Sequence, residues 1–189
     1  MNEVKNRLEN YIINRFTMAI LPDQSNMCTE VLELDEEFVV QKRPMEIIDQ
    51  SCRFFGSSYE GRKEGTKDLI RTTHKPPIVL DPANSIYFFP TTSSTRQQCV
   101  WISYSHVKDF RKAEHNNTII TFNNGKEITL PISEGSFEKQ LSRTARLQTN
   151  IFTRIEQEQR KLNMLLFPKD DKEISAIYEK LLRELRNRL

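Results

Sequence analysis

Residues 51–66 read SCRFFGSSYEGRKEGT and hold Gly56, Gly61 and Gly65, three of the five glycines in this 189-residue chain. Glycines next to hydroxyl and basic side chains are the materials of a phosphate-holding loop. A nucleotide-hydrolysing loop has the form G-x-x-x-x-G-K-[ST], follows a buried strand and opens a helix. Gly56 and Gly61 have that spacing, but Arg62 replaces the lysine and Lys63 replaces the magnesium-binding hydroxyl. The residues before Gly56 have helical periodicity, and no later strand ends in an Asp suited to magnesium. Nucleotide hydrolysis is disfavoured on these grounds. Composition leaves two readings open. In one, Gly56 ends a helix, the other glycines make turns, and Arg53, Arg62, Lys63, Lys67, Arg71 and Lys75 form a solvated basic face. In the other, these groups contact a phosphodiester backbone, which amides, hydroxyls and cations bind without reading sequence.

Other chemistry is thinly represented. His74, His106 and His115 are far apart, and no Ser, Cys or Asp near them completes a triad. Cys28, Cys52 and Cys99 are an odd set with no C-x-x-C pair, which points to reduced, buried thiols in a cytoplasmic protein. Cysteines and histidines together are too few and too scattered for a zinc site. The expectation is no catalytic residue, no metal and no cofactor. Tyr87, Phe88, Phe89, Trp101 and Tyr104 have rings that stack on bases, but a strand setting makes core packing the better reading.

The net charge of +2 conceals an asymmetry: residues 1–50 hold five Lys/Arg against ten Asp/Glu, 51–100 seven against four, and 101–189 sixteen against twelve. An acidic first part and a basic remainder permit a polyanionic partner without proving one. No apolar run approaches the roughly 18 residues of a membrane span, and the first residues do not form a secretory signal.

The elements that must position these residues have readable periods. A short strand is expected over 16–21, then a hairpin in CTEVLELDEEFVVQK with its turn at 34–37. Met45, Ile48, Cys52 and Phe55 recur at helical spacing, giving a helix near 44–55 closed by Gly56. Short proline-bounded strands follow at 78–80 and 86–89, and Val100, Ile102 and Tyr104 alternate as another strand. NTIITFNNGKEITLPIS reads as a hairpin turning at Asn123-Asn124-Gly125-Lys126. A long helix is expected near 136–160 with Ser136 as N-cap and Lys139, Arg143, Arg146 and Arg154 on one side. Pro168 breaks it, and an amphipathic helix beginning at Asp170 or Asp171 ends the chain. The fold class is α+β with a mainly antiparallel sheet, organised as a domain over 1–160 and a helical tail over 161–189.

SCRFFGSSYEGRKEGT, HKPPIVLDP, FFPTTSSTRQQCVWIS and LPISEGSFEKQLSRTA, in this order, resemble the ComK family of competence transcription factors over nearly the whole chain. The resemblance implies a cytoplasmic activator, nucleoid-associated when bound, that recognises A/T-rich promoter boxes upstream of DNA-uptake genes through the minor groove. It implies stimulation of its own promoter, an indirect link to RNA polymerase, and homo-oligomers on paired boxes. Charge and glycine context make Arg53, Arg62, Lys63 and Arg71 the first DNA-binding candidates, followed by Lys67, Lys75, Arg96, Arg143 and Arg146. The family is also delivered to a Clp protease by an adaptor that takes a short hydrophobic segment near the C-terminus. The matching residues here are Met164, Leu165, Leu166, Phe167 and Pro168, with Met164 where the family has an aromatic. An alternative of another class is a protein-interaction module that does not touch DNA.

Overall fold

In the computed structural model, residues 6–23, 27–166 and 171–186 are described. The chain divides into two units, Met1–Asn150 and Ile151–Leu189. The first is built on a seven-stranded sheet in the order β1-β4-β3-β2-β7-β6-β5, where β1 is Asn6–Leu8, β2 Thr17–Pro22, β3 Thr29–Glu33, β4 Glu37–Val40, β5 Ile78–Asp81, β6 Ile86–Pro90 and β7 Trp101–Ser103. All pairings are antiparallel except β1 with β4, where Arg7 lies beside Val39. A separate three-stranded antiparallel sheet comprises β8 (Val107–Lys112), β9 (Thr118–Phe122) and β10 (Glu127–Leu130). The mixed α and β content with a dominant antiparallel sheet agrees with the expected α+β class.

Both faces of the large sheet are covered, so its strands carry continuous apolar runs and alternate residues enter different cores. Val31, Phe88 and Trp101 join a cluster with Ile47, Ile48 and Cys52 of α1 (Pro44–Phe54) and Tyr59 of α2 (Tyr59–Ile70). Their neighbours Leu32, Phe89 and Ile102 join a second cluster with Ile120, Phe122 and Leu130 of the small sheet and Phe137 of α3 (Glu134–Leu166). Phe89 and Phe137 meet edge to face with centroids 5.5 Å apart. Tyr87, Phe88, Phe89 and Trp101 are buried, which makes them packing residues rather than base-stacking ones.

Several expectations change in detail. The basic stretch after Gly56, where one reading of the sequence puts turns at the other glycines, contains α2, because Ser58 caps a segment that nothing breaks before Arg71. Gly61 and Gly65 therefore lie in a helix and not in turns. The long helix starts at Glu134, and Ser133 takes the capping role expected of Ser136: its Oγ accepts the Ser136 N–H at 3.3 Å. It also continues to Leu166, since no proline or glycine intervenes between 136 and 166. β1 and β8 have too little alternation for a strand reading. The turn of the last hairpin is as expected, with Gly125 at φ +85°.

In the second unit, the described residues are the later turns of α3 and α4 (Asp171–Arg186). Leu162, Met164, Leu165, Ile177 and Leu181 line a groove of about 410 Å³ there, flanked by Glu158, Lys161, Lys180 and Glu184.

Candidate nucleic-acid interface

The glycine-rich stretch is the corner between α1 and α2. Pro44 opens α1, and the Glu46 carboxylate accepts the Arg43 N–H at 2.7 Å. At the far end Gly56 takes φ +76°, its N–H donates to Arg53 O at 3.0 Å, and Ser57 N–H donates to Cys52 O at 3.0 Å. This is a glycine-closed helix end, as the periodicity implied. Three residues later α2 begins, and several amides of the corner are already occupied. Tyr59 N–H donates to Asp49 Oδ1 at 3.1 Å and Gly61 N–H to Ser58 Oγ at 3.0 Å. These contacts hold the Asp49 carboxyl below its usual range, the Tyr59 N–H bond being the largest cause and the Arg53 guanidinium adding to it. The stretch is a helix corner, not a strand-to-helix phosphate loop.

Two helices joined by a short glycine turn were not expected. The arrangement resembles a helix-turn-helix in outline, but the exposed side of α2 carries Glu60, Glu64 and Asp68 at four-residue spacing. That acidic stripe repels a phosphate backbone, so α2 does not present a basic reading face. Its lysines are also engaged: Lys63 Nζ lies 3.0 Å from Glu60 Oε2, and Lys67 Nζ 2.5 Å from Glu64 Oε1. Arg62 turns toward the corner, where Nη2 donates to Phe55 O at 2.9 Å and its buried Nε has no partner among the described residues. Arg53 lies exposed on α1 and pairs with Asp49 at 2.8 Å.

The remaining cations converge further along. Arg71 ends α2 in the left-handed region at φ 53°, and Lys75 repeats that conformation at φ 50°. Each costs roughly 1 kcal/mol or more for a non-glycine residue. Two side chains of α3 bond the loop backbone and a third bonds the last turn of α2. Gln140 Nε2 donates to Lys75 O at 3.1 Å and to Pro90 O at 2.6 Å; Arg143 Nη1 donates to His74 O at 3.0 Å; Asn150 Nδ2 donates to Leu69 O at 3.0 Å. Arg143 also donates to Gln140 Oε1 at 3.1 Å. Arg71, Lys75, Arg143 and the exposed Arg146, one turn after Arg143, are thus brought to one region by the loop 71–77 and α3. Sequence spacing did not foretell the staple, because Gln140, buried at 3% exposure, reads as an ordinary helix residue. Arg96 is separate, in the loop that faces the first turn of α1.

The other singled-out groups have structural roles. His106 is buried with Nε2 2.9 Å from Arg15 O, whereas His74 and His115 are exposed. Burial pushes the Cys52 thiol up to about 12 and raises Cys99. Among the described residues no group of three or more His, Cys, Asp or Glu is placed to hold a metal, and no helix is long and apolar enough to cross a membrane. Met164, Leu165 and Leu166 are exposed on the last turn of α3; Phe167 and Pro168 lie outside the described residues.

Comparison with known proteins gives the class. The chain is 47% identical over 184 residues, covering 96% of it and 95% of the relative, to a competence transcription factor of Bacillus subtilis (strain 168), which places it among transcription activators of competence. The sequence profile of the ComK protein family matches residues 8–156, and the chain belongs to that family. No solved structure matches it.

Proposed function

We propose that this protein activates competence genes by binding A/T-rich promoter DNA directly, with the loop 71–77 and the adjoining turns of α3 as the contact surface. The supporting observation is the stapled loop. Two cationic stations, Arg71 and Lys75, have strained backbone, with Gln140 and Arg143 bonding the loop between them and Asn150 the last turn of α2 before it. Strain maintained by a buried side chain is spent where geometry matters. Arginines on such a loop suit the narrow, electronegative minor groove of A-tracts, which is read by shape. Arg71, Lys75, Arg143 and Arg146 form the primary set. Arg53, Lys63 and Lys67 contribute less, since each is paired with a carboxylate, and Arg62 less because it is turned inward onto Phe55 O. Arg96 makes a separate contact.

The protein works in the cytoplasm as a homo-oligomer on paired boxes, stimulates its own promoter and acts on RNA polymerase indirectly. The body over 1–160 binds DNA. The tail over 161–189, with Met164, Leu165, Leu166, Phe167 and Pro168 as anchor, is taken by an adaptor of a Clp protease. The exposed apolar side chains of that region support this assignment, since such groups dock in a partner's groove. They also favour a second reading, an interaction module without direct DNA contact, which a footprint made by the purified protein excludes.

The test is a salt titration of binding to an A/T-box duplex. The slope of log K against log salt falls by about 0.9 for each phosphate contact removed. Arg71→Ala and Arg143→Ala each flatten the slope by about one contact. Slopes and affinities unchanged in both variants overturn the assignment of the surface.

A further inference from the structure

The helical unit over 151–189 has no core of its own. Among its described residues none is buried, although α4 forms a groove with the later turns of α3. Earlier on the same helix Phe137, Thr144 and Leu147 are buried. A unit of about 40 residues stands at the size below which a chain needs a disulfide, a metal or a partner to stay folded. Helices also owe most of their stability to the packing of an apolar face.

The apolar side chains of this unit lie along lines. Phe152, Ile155, Leu162 and Leu166 of α3, each 40–64% exposed, alternate spacings of three and four with Gln159 in the middle. That is the heptad period of a helix seam, which runs about 20 Å from Phe152 to Leu166. Ile174, Tyr178 and Leu181 of α4 have the same period, and Tyr178 is 65% exposed. The groove between α3 and α4 uses a different line. Leu162 and Leu181 border it, whereas Phe152, Ile155, Leu166 and Tyr178 do not. A second set of apolar positions at seam spacing is therefore left open. It calls for a helix alongside, and a short anchor at 164–168 covers only its end.

We propose that this seam is a homodimer interface, in which α3 and α4 of one copy pack on α3 and α4 of a second to complete a four-helix bundle. Every copy brings a helix of the same period and length, as an isologous contact requires. The open surface of the seam side chains comes to about 700 Å² per copy, close to the roughly 800 Å² per partner of a standard stable interface. Charges beside the seam are balanced. Glu156 meets Arg160 at 2.7 Å and Glu158 meets Lys161 at 2.7 Å, with Glu184 of α4 also acting on Lys161. A patch with equal acids and bases matches a copy of itself better than a partner of one sign. Gln159 is the polar position that fixes register in such a seam. The interface is that of the homo-oligomer under Proposed function; its place on DNA rests on that reading, and the association itself does not.

The full chain is measured by sedimentation equilibrium over micromolar concentrations, alone and on a paired-box duplex, and duplex affinity is read separately by anisotropy. Ile155→Glu and Leu162→Glu put a charge into the seam at exposed positions, while Thr153→Glu adds the same charge to the same helix off the seam. Far-UV circular dichroism and unfolding curves check that all three fold like wild type. The expected result is a dimer whose dissociation constant rises at least about tenfold in both seam variants and stays unchanged in Thr153→Glu, as burial of an unpaired charge demands. Pairing seen on the paired-box duplex alone, and lost in both seam variants, also supports the interface. A dimer split by the seam variants in a chain that binds no duplex supports the interface while the DNA reading fails. A wild type monomeric under both conditions overturns the interface, whether or not it binds DNA. If such a monomer is captured by a purified Clp adaptor and the seam variants escape capture, the surface belongs to the adaptor instead. A dimer unmoved by either seam variant, or weakened equally by Thr153→Glu, overturns the interface as well.

Discussion

Replacing Gln140 by leucine probes the staple without removing a cation. The side chain is 3% exposed, and its Nε2 serves two carbonyls, Lys75 O at 3.1 Å and Pro90 O at 2.6 Å, while its Oε1 accepts from Arg143. Leucine fills similar space but leaves both carbonyls without that donor. Each stranded buried polar group costs about 1–3 kcal/mol, and some relief comes from the greater apolar burial of leucine. The expected net loss is about 2–4 kcal/mol, read as a lower urea midpoint at unchanged m-value by far-UV circular dichroism. Because the loop loses its support, duplex affinity falls by at least about threefold although every Lys and Arg remains. Arg143→Ala in the same background costs less than it does in wild type, since the two side chains share a bond; the coupling is about 0.5 kcal/mol or more. A stability loss below about 0.5 kcal/mol, with unchanged duplex affinity, refutes the claim that Gln140 holds the loop.

Other outcomes follow from particular contacts. Arg62→Ala, which removes the donor to Phe55 O, lowers stability by about 1–2 kcal/mol in denaturant unfolding, whereas Lys63→Ala stays within about 0.5 kcal/mol; equal effects contradict the inward placement of Arg62. Asp49 has a depressed carboxyl, so its contribution is present above the unfolded value of about 3.9 and is lost as pH falls through the lower folded value. The stability gap between wild type and Asp49→Asn is therefore constant above about pH 5 and closes below about pH 4; a gap that widens in acid contradicts the assignment. Gly65→Ala, with no atom within 4 Å of the added Cβ in mid-helix, raises stability by about 0.5–1 kcal/mol, while Gly125→Ala at φ +85° lowers it by about 1 kcal/mol or more. In the native protein a thiol reagent modifies the half-buried Cys28 first, with Cys52 and Cys99 reacting only on unfolding; three fast thiols refute their burial.

Much of the architecture was readable because it is local. The α1 periodicity with Pro44 before it and Gly56 after it, the Asn-Gly turn, and the amphipathic helices all encode their structure within a few residues. The apolar runs at β5 to β7 were legible as strands, though only the second layer of β8 to β10 with α3 explains why both of their faces are apolar. What escaped was set by distant partners. β1 is a strand because β4 offers an edge beside it, not because of its own pattern. The basic residues could be named from composition, but not sorted. Glu60 and Glu64 neutralise Lys63 and Lys67 through helical spacing that was hidden while Gly61 and Gly65 read as turn glycines. Arg71, Lys75 and Arg143 come together through Gln140, a contact 65 residues long in sequence.

The central claim is direct recognition of A/T-rich DNA by this chain. The most direct measurement is footprinting by the purified protein on a promoter fragment with paired A/T boxes, beside a fragment of equal length in which the boxes are G/C-rich. The account predicts protection of the A/T boxes at concentrations that leave the G/C fragment open, weakened by added salt and by Arg71→Ala with Arg143→Ala. Equal protection of both fragments, or none on either, contradicts it.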